Sequence, residues 1–248
     1  MRGTGGSTAA GGTPRRTGGS PGSGAGSGTR DGGERGQRSQ ALSARAIRVV
    51  AGLALAAFFW VVIFGWRIVS FWAGMVAAAV LLTAYAVLAG GAPWKRDEWT
   101  YENAVVGAAS ALALYAIFAV GNWAARVIFP FAPGQIGDVY AIRDQADRLL
   151  IGAILLLVTS PAEEIFWRGF LQRQLSTWVG PGLAWVLGAL VYALVHVASG
   201  NLMLVLAAFV AGLGWGLLLL WRRSVVPGII SHSLWTVMIF LLFPLAGG

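Results

Sequence analysis

The chain has no cysteine and only two histidines in 248 residues, and charged residues make up 11% of it. The missing cysteines exclude disulfides, thiolate catalysis and cysteine-based zinc fingers. The scarcity of charge, against about 25% in a typical soluble domain, excludes an ordinary cytosolic enzyme. No HExxH and no GxSG sequence occurs, so the standard zincin and serine-protease signatures are absent. No aspartate falls inside a long apolar run, which argues against an aspartyl intramembrane protease.

What remains is apolar and unevenly spread. Hydrophobic residues make up 57% of the chain, and the mean hydropathy is +0.70. Residues 1–45 hold 14 of the 35 glycines and seven arginines against Asp31 and Glu34. Such a Gly/Ser/Thr/Arg tail cannot bury enough apolar surface to offset its ordering entropy, so disorder is expected there. It lacks the short apolar core of a signal peptide. Its role is read as a solvated extension that helps set topology. The formal charge of +8 is shared between tail and body, with no basic patch interleaved with aromatics, so nucleic acid is not an expected partner.

The body reads as an all-α polytopic helix bundle in a lipid bilayer, since spanning needs about 20 mostly apolar residues. Seven candidate spans, eight at most, are counted. They start near Arg48, Ile68, Asn103, Leu149, Gly182, Leu202 and Val225, the last ending near Leu245. Gly134–Arg148 is polar and reads as a loop with a short surface helix. The domain reading is therefore a tail (1–45), N-terminal spans (46–147) and a core (148–245). Basic residues favour an N-terminus inside the cell. Lys95, Arg96, Arg168, Arg173, Arg222 and Arg223 would lie inside, and the aspartate-bearing loop outside. The tail's Gly/Ala/Arg bias suggests a high-GC bacterium, hence a bacterial plasma membrane. Tryptophans near segment ends (Trp60, Trp66, Trp72, Trp94, Trp99, Trp123) suit an interfacial belt. Gly188, Gly212, Gly214 and Gly216 suit close helix packing.

Ionisable groups in hydrocarbon cost roughly 2.5–3.5 kcal/mol each on insertion scales and are usually functional. The fourth span carries Pro161-Ala-Glu163-Glu164-Ile-Phe-Trp-Arg168. Glu164 and Arg168 are four apart and can pair on one face. Glu163 then lacks a local partner and suits a general base or acid. Both histidines, His196 and His232, lie in apolar segments. About the turn at Val179–Pro181, Glu163 and His196 are each about 23 Å away at 1.5 Å per residue. Glu163 and His232 lie about 15 Å from Arg173 and about 14 Å from Arg223 by the same rise. Three groups on three helices thus reach one depth. One carboxylate and two imidazoles suit direct water activation. They also suit a divalent metal such as zinc, held by Glu163, His196 and His232.

These residues resemble the CPBP family, the CAAX-protease and bacteriocin-processing intramembrane proteases, also called type II CAAX prenyl endopeptidase or lysostaphin-resistance-protein-A-like. The resemblance rests on Glu163-Glu164-x-x-x-Arg168, Tyr192-x-x-x-His196 and the His232 motif, across about 148–245. It implies that Glu163 activates water with His196 beside it. His232 would bind the water, the scissile carbonyl or the oxyanion, and Glu164 and Arg168 would brace the site. Two positions depart from the family pattern. Tyr192 stands where Phe is usual, and Thr236 where Asn or Asp is usual, with Ser231 as a nearby compensating hydroxyl. The implied activity is intramembrane proteolysis of a membrane-associated protein or peptide. The alternatives are a catalytically silent scaffold or immunity factor of the same family and, behind it, a proton-coupled transporter.

Overall fold

The computed structural model describes residues 28–245 of the chain. Every described element is helical. Eight helices are labelled here. They are α1 (Gly28–Trp60, running on as a π turn, Val61–Trp66), α2 (Phe71–Gly90), α3 (Tyr101–Ile128), α4 (Ala132–Ala141), α5 (Arg148–Val179), α6 (Pro181–Ser199), α7 (Leu202–Arg222) and α8 (Val226–Leu242). Six are long and apolar enough to cross a membrane: α2, α3, α5, α6, α7 and Leu42–Trp66 of the first helix. The polar stretch expected between the third and fourth spans contains α4, followed by a short 3-10 turn at Ile142–Gln145.

The first helix begins at Gly28; residues 1–27, the larger part of the expected tail, lie outside the described residues. A helix nucleates at a cost and then extends cheaply, so the apolar span carries its hydrogen-bond ladder back through Gln40-Ala-Leu-Ser-Ala-Arg. The seventh span, expected from about Val225 to Leu245, is a helix of Val226–Leu242, shorter than the other six. Even so, its ends meet the ends of α3. Arg222, just before α8, pairs with Glu102 at 2.7 Å and with the Asn103 side chain at 3.1 Å. Just after it, the carbonyl of Leu245 accepts from Asn122 and Arg126, both at 3.3 Å.

Caps mark where the spans begin. The side chains of Thr100, Asp147 and Asn201 accept hydrogen bonds from free backbone N–H groups at the starts of α3, α5 and α7, which relieves the unsatisfied helix end. Gly180, at φ 79°, makes the tight turn that lets Pro181 open α6 directly, a backbone region open to glycine. Small residues bring the helices together. A Cβ on Gly212 would meet the Cα of Ala189 at 3.1 Å, and one on Gly107 would meet Ile230 and the Pro227 carbonyl at 2.8–2.9 Å. Large apolar side chains remain exposed around the bundle, Leu88, Val120, Leu157 and Leu194 among them. That surface would be a liability in water and is ordinary against lipid. The helices, the outward apolar surface and the spans make this a multi-pass integral membrane protein.

Candidate active site

The fourth span is not a uniform α-helix. Within Arg148–Val179, π segments at Leu155–Thr159 and Glu164–Gln172 flank an α-helical turn, Ser160–Glu163. Such wide turns in α-helices are frequent at functional sites. Here the change of pitch falls between Glu163 and Glu164, and the two carboxylates have different partners.

Glu164 is fully buried. Its Oε1 accepts from Arg168 at 3.0 Å and meets His232 Nδ1 at 2.9 Å. Arg168 also donates to the Gly212 carbonyl at 3.3 Å. Its guanidinium lies 4.7 Å from the Tyr192 ring centroid and 5.3 Å from that of Trp215. Trp215 stacks on His232 at 3.6 Å and donates through Nε1 to Ser231 Oγ at 3.3 Å. Glu164 Oε2 has no hydrogen-bond partner and sits where a Cβ on Gly228 would come within 2.9 Å. Glu164, Arg168 and His232 thus form a buried, charge-assisted brace between α5 and α8.

Glu163 is only partly buried. Its Oε2 accepts from the Tyr192 hydroxyl at 2.5 Å. The main-chain carbonyl of Tyr192 faces His196 Nδ1 at 2.8 Å. A carbonyl can only accept, so Nδ1 carries the proton and the neutral imidazole keeps its Nε2 lone pair. The Tyr192 and His196 rings meet edge to face at 4.9 Å. His196 opens a 3-10 turn at the end of α6 and is walled by Trp60 and Phe64, with ring centroids at 5.5 Å and 6.0 Å.

Tyr192 therefore joins the Glu163–His196 pair, and Arg168, over its ring, links that pair to the Glu164–His232 brace. Thr236 lies apart from this network. It lines an apolar cavity of about 490 Å³ between α3, α4, α7 and α8, and its Oγ1 has no hydrogen-bond partner. Trp60 and Trp72, expected in the interfacial belt, are buried instead. Trp60 packs against Trp167 and His196, so it lines the site. Trp215 and Gly228 were not singled out from the sequence. The signal for Trp215 was an aromatic in mid-span, far from either interface.

Among the described residues, no three His, Asp or Glu side chains are placed to hold a metal ion. His232 Nδ1 and His196 Nδ1 are engaged, which leaves each imidazole one nitrogen, and a hydroxyl holds one oxygen of Glu163. As arranged, Glu163, His196 and His232 do not converge on one point, as a preformed zinc site with three ligands on one ion needs.

Residues 145–238, which hold the Glu163–Tyr192–His196 group and the Glu164–Arg168–His232 brace, match the family model for Rce1-like proteins, described as type II CAAX prenyl endopeptidase Rce1-like. This stretch is an Rce1-like domain. No curated protein and no solved structure matches the chain significantly. The Rce1-like domain begins just before α5 and ends within α8, so α1–α4 lie outside it. The first helix still completes its site, because Trp60 and Phe64 come from it and its π turn. The match supports a CAAX-type intramembrane protease at the level of the family.

Proposed function

We propose that this protein hydrolyses a peptide bond of a membrane-associated protein or peptide, with Glu163 activating the attacking water. The observation that carries the reading is the division of labour between adjacent carboxylates. Glu164 is buried and committed to Arg168 and His232. Glu163 is partly exposed, and only a neutral hydroxyl holds it, on one oxygen. Its other oxygen is available to a water, and His196, tied to the same Tyr192, offers Nε2 as a second acceptor.

In this reading Glu163 takes a proton from water as the water oxygen bonds to the scissile carbonyl carbon. The tetrahedral intermediate then collapses as the C–N bond breaks. Protonated Glu163 gives its proton to the leaving nitrogen, which releases a carboxyl and an amine product. His196 orients the water through Nε2. His232, anchored through Nδ1–H on Glu164, presents its other nitrogen to the substrate carbonyl or oxyanion and donates to it when both ring nitrogens carry protons. The five basic residues at one end of the bundle favour that end as cytoplasmic. There Lys95, Arg173, Arg222 and Arg223 line a polar cavity of about 550 Å³, with Arg96 alongside.

The test is cleavage of a quenched fluorogenic peptide library by detergent-purified protein, with and without a strong chelator. Glu163→Gln is expected to lower cleavage by at least about 1,000-fold, as loss of the group that makes the nucleophile should. The chelator is expected to leave the wild-type rate unchanged. Full activity in Glu163→Gln would overturn the assignment, and loss to chelator would overturn the metal-free step.

A further inference from the structure

Tyr192 touches both candidate reacting groups, and it does so through two different parts of itself. Its hydroxyl donates to Glu163 Oε2 at 2.5 Å. Its main-chain carbonyl meets His196 Nδ1 at 2.8 Å, one helical turn on. Its ring is fixed on several sides: Arg168 lies over it at 4.7 Å, Trp167 meets it at 5.2 Å, and a Cβ on Gly212 would sit 3.3 Å from its Cδ1. The side chain is buried, with 5% exposure. It therefore has little freedom to leave Glu163.

We propose that Tyr192 is a dual positioning residue, whose hydroxyl aims the Glu163 carboxylate while its carbonyl fixes the tautomer and orientation of His196. The proposal rests on the hydrolytic reading above and adds to it a specific mechanical task. A carboxylate on a glutamate has three rotatable bonds and could swing toward lipid or toward Arg168. A hydrogen bond on Oε2 leaves Oε1 as the free acceptor. A carbonyl on Nδ1 leaves Nε2 as the free acceptor on His196. The two free acceptors then belong to groups tethered to the same residue, so the water between them has one geometry to satisfy. Because Arg168 covers the same ring, the Glu164–Arg168–His232 brace also fixes the Glu163–His196 pair through Tyr192. Holding reacting groups within a narrow geometry is worth large rate factors, and small displacements cost them.

Tyr192→Phe isolates the hydroxyl. It keeps the ring, the Arg168 and Trp167 contacts, and the carbonyl that holds His196. In the full-length protein reconstituted in vesicles, kcat is expected to fall about tenfold or more with KM within twofold, as loss of one hydrogen bond to a charged group would give. Infrared difference spectra supply a readout that a merely structural role would not move. The carboxylate band that disappears in Glu163→Gln is expected to shift in Tyr192→Phe. A wild-type kcat together with an unshifted band would overturn the proposal. If instead the Glu163→Gln protein still cleaves, the hydrolytic reading fails. The band shift then decides by itself whether Tyr192 holds Glu163.

Discussion

Two glutamates one residue apart have opposite environments, and their variants should fail in different ways. Glu164 is paired with Arg168 and His232 inside the protein. Glu164→Gln leaves Arg168 buried without its counter-charge, and breaking a buried pair on one side costs about 3–5 kcal/mol. Thermal unfolding in detergent should therefore show a markedly destabilised Glu164→Gln, with activity lost alongside stability. An unchanged melting temperature would mean that the brace is not structural. The pairing of Glu164 with Arg168 was legible from the i, i+4 spacing alone. The partner of Glu163 was not, because Tyr192 is 29 positions away and on another helix. The role of Thr236 was not legible either. Its motif position suggests a place beside the histidines, yet the structure turns its side chain toward an apolar cavity.

At the scale of the element, α5 and α8 have to approach closely for His232 to reach Glu164. Gly228 permits this, since a Cβ there would meet Glu164 Oε2 at 2.9 Å. That oxygen belongs to a side chain already held by Arg168 and His232, so it has little room to give. Gly228→Ala is expected to destabilise the fold by about 1–3 kcal/mol, the usual range for overpacking, and to cut cleavage more strongly than Gly214→Ala. Gly214 is a fair control, because a Cβ there meets only Leu114, at 3.4 Å. Equal rates in the two variants would remove Gly228 from the account. The sequence marked Gly212 and Gly216 as packing positions through their place in an apolar span. Gly228 sits one residue after a proline at a helix start, where glycine reads as a terminus signal and its packing duty is hidden.

For the whole molecule, six long spans and the shorter Val226–Leu242 set the topology. Hydropathy located the spans well because backbone polar groups in lipid must be satisfied within helices. It overstated the length of the last one. Val226–Leu242 is shorter than the rest, but the chain flanking it meets both ends of α3, at Glu102 and at Arg126. The absence of native cysteine permits a direct test with an impermeant thiol reagent on sealed vesicles. Lys95→Cys and Arg223→Cys are expected to label from one side, and Gly134→Cys and Phe243→Cys from the other. Labelling of Phe243→Cys and Arg223→Cys from the same side would make α8 re-entrant. Helical rise and arginine positions group Glu163, His196 and His232 at one depth. Rise along an axis says nothing of rotation about it, so two linked pairs and one three-way cluster read alike in the sequence. That rotation is set by the π turns in α5.

The measurement closest to the central claim compares Glu163→Gln with Glu164→Gln in the same vesicles, reading cleavage and melting temperature together. The account predicts a Glu163→Gln protein as stable as wild type and inert toward substrate, beside a Glu164→Gln protein that loses stability first. A Glu163→Gln protein that cleaves at the wild-type rate would contradict it.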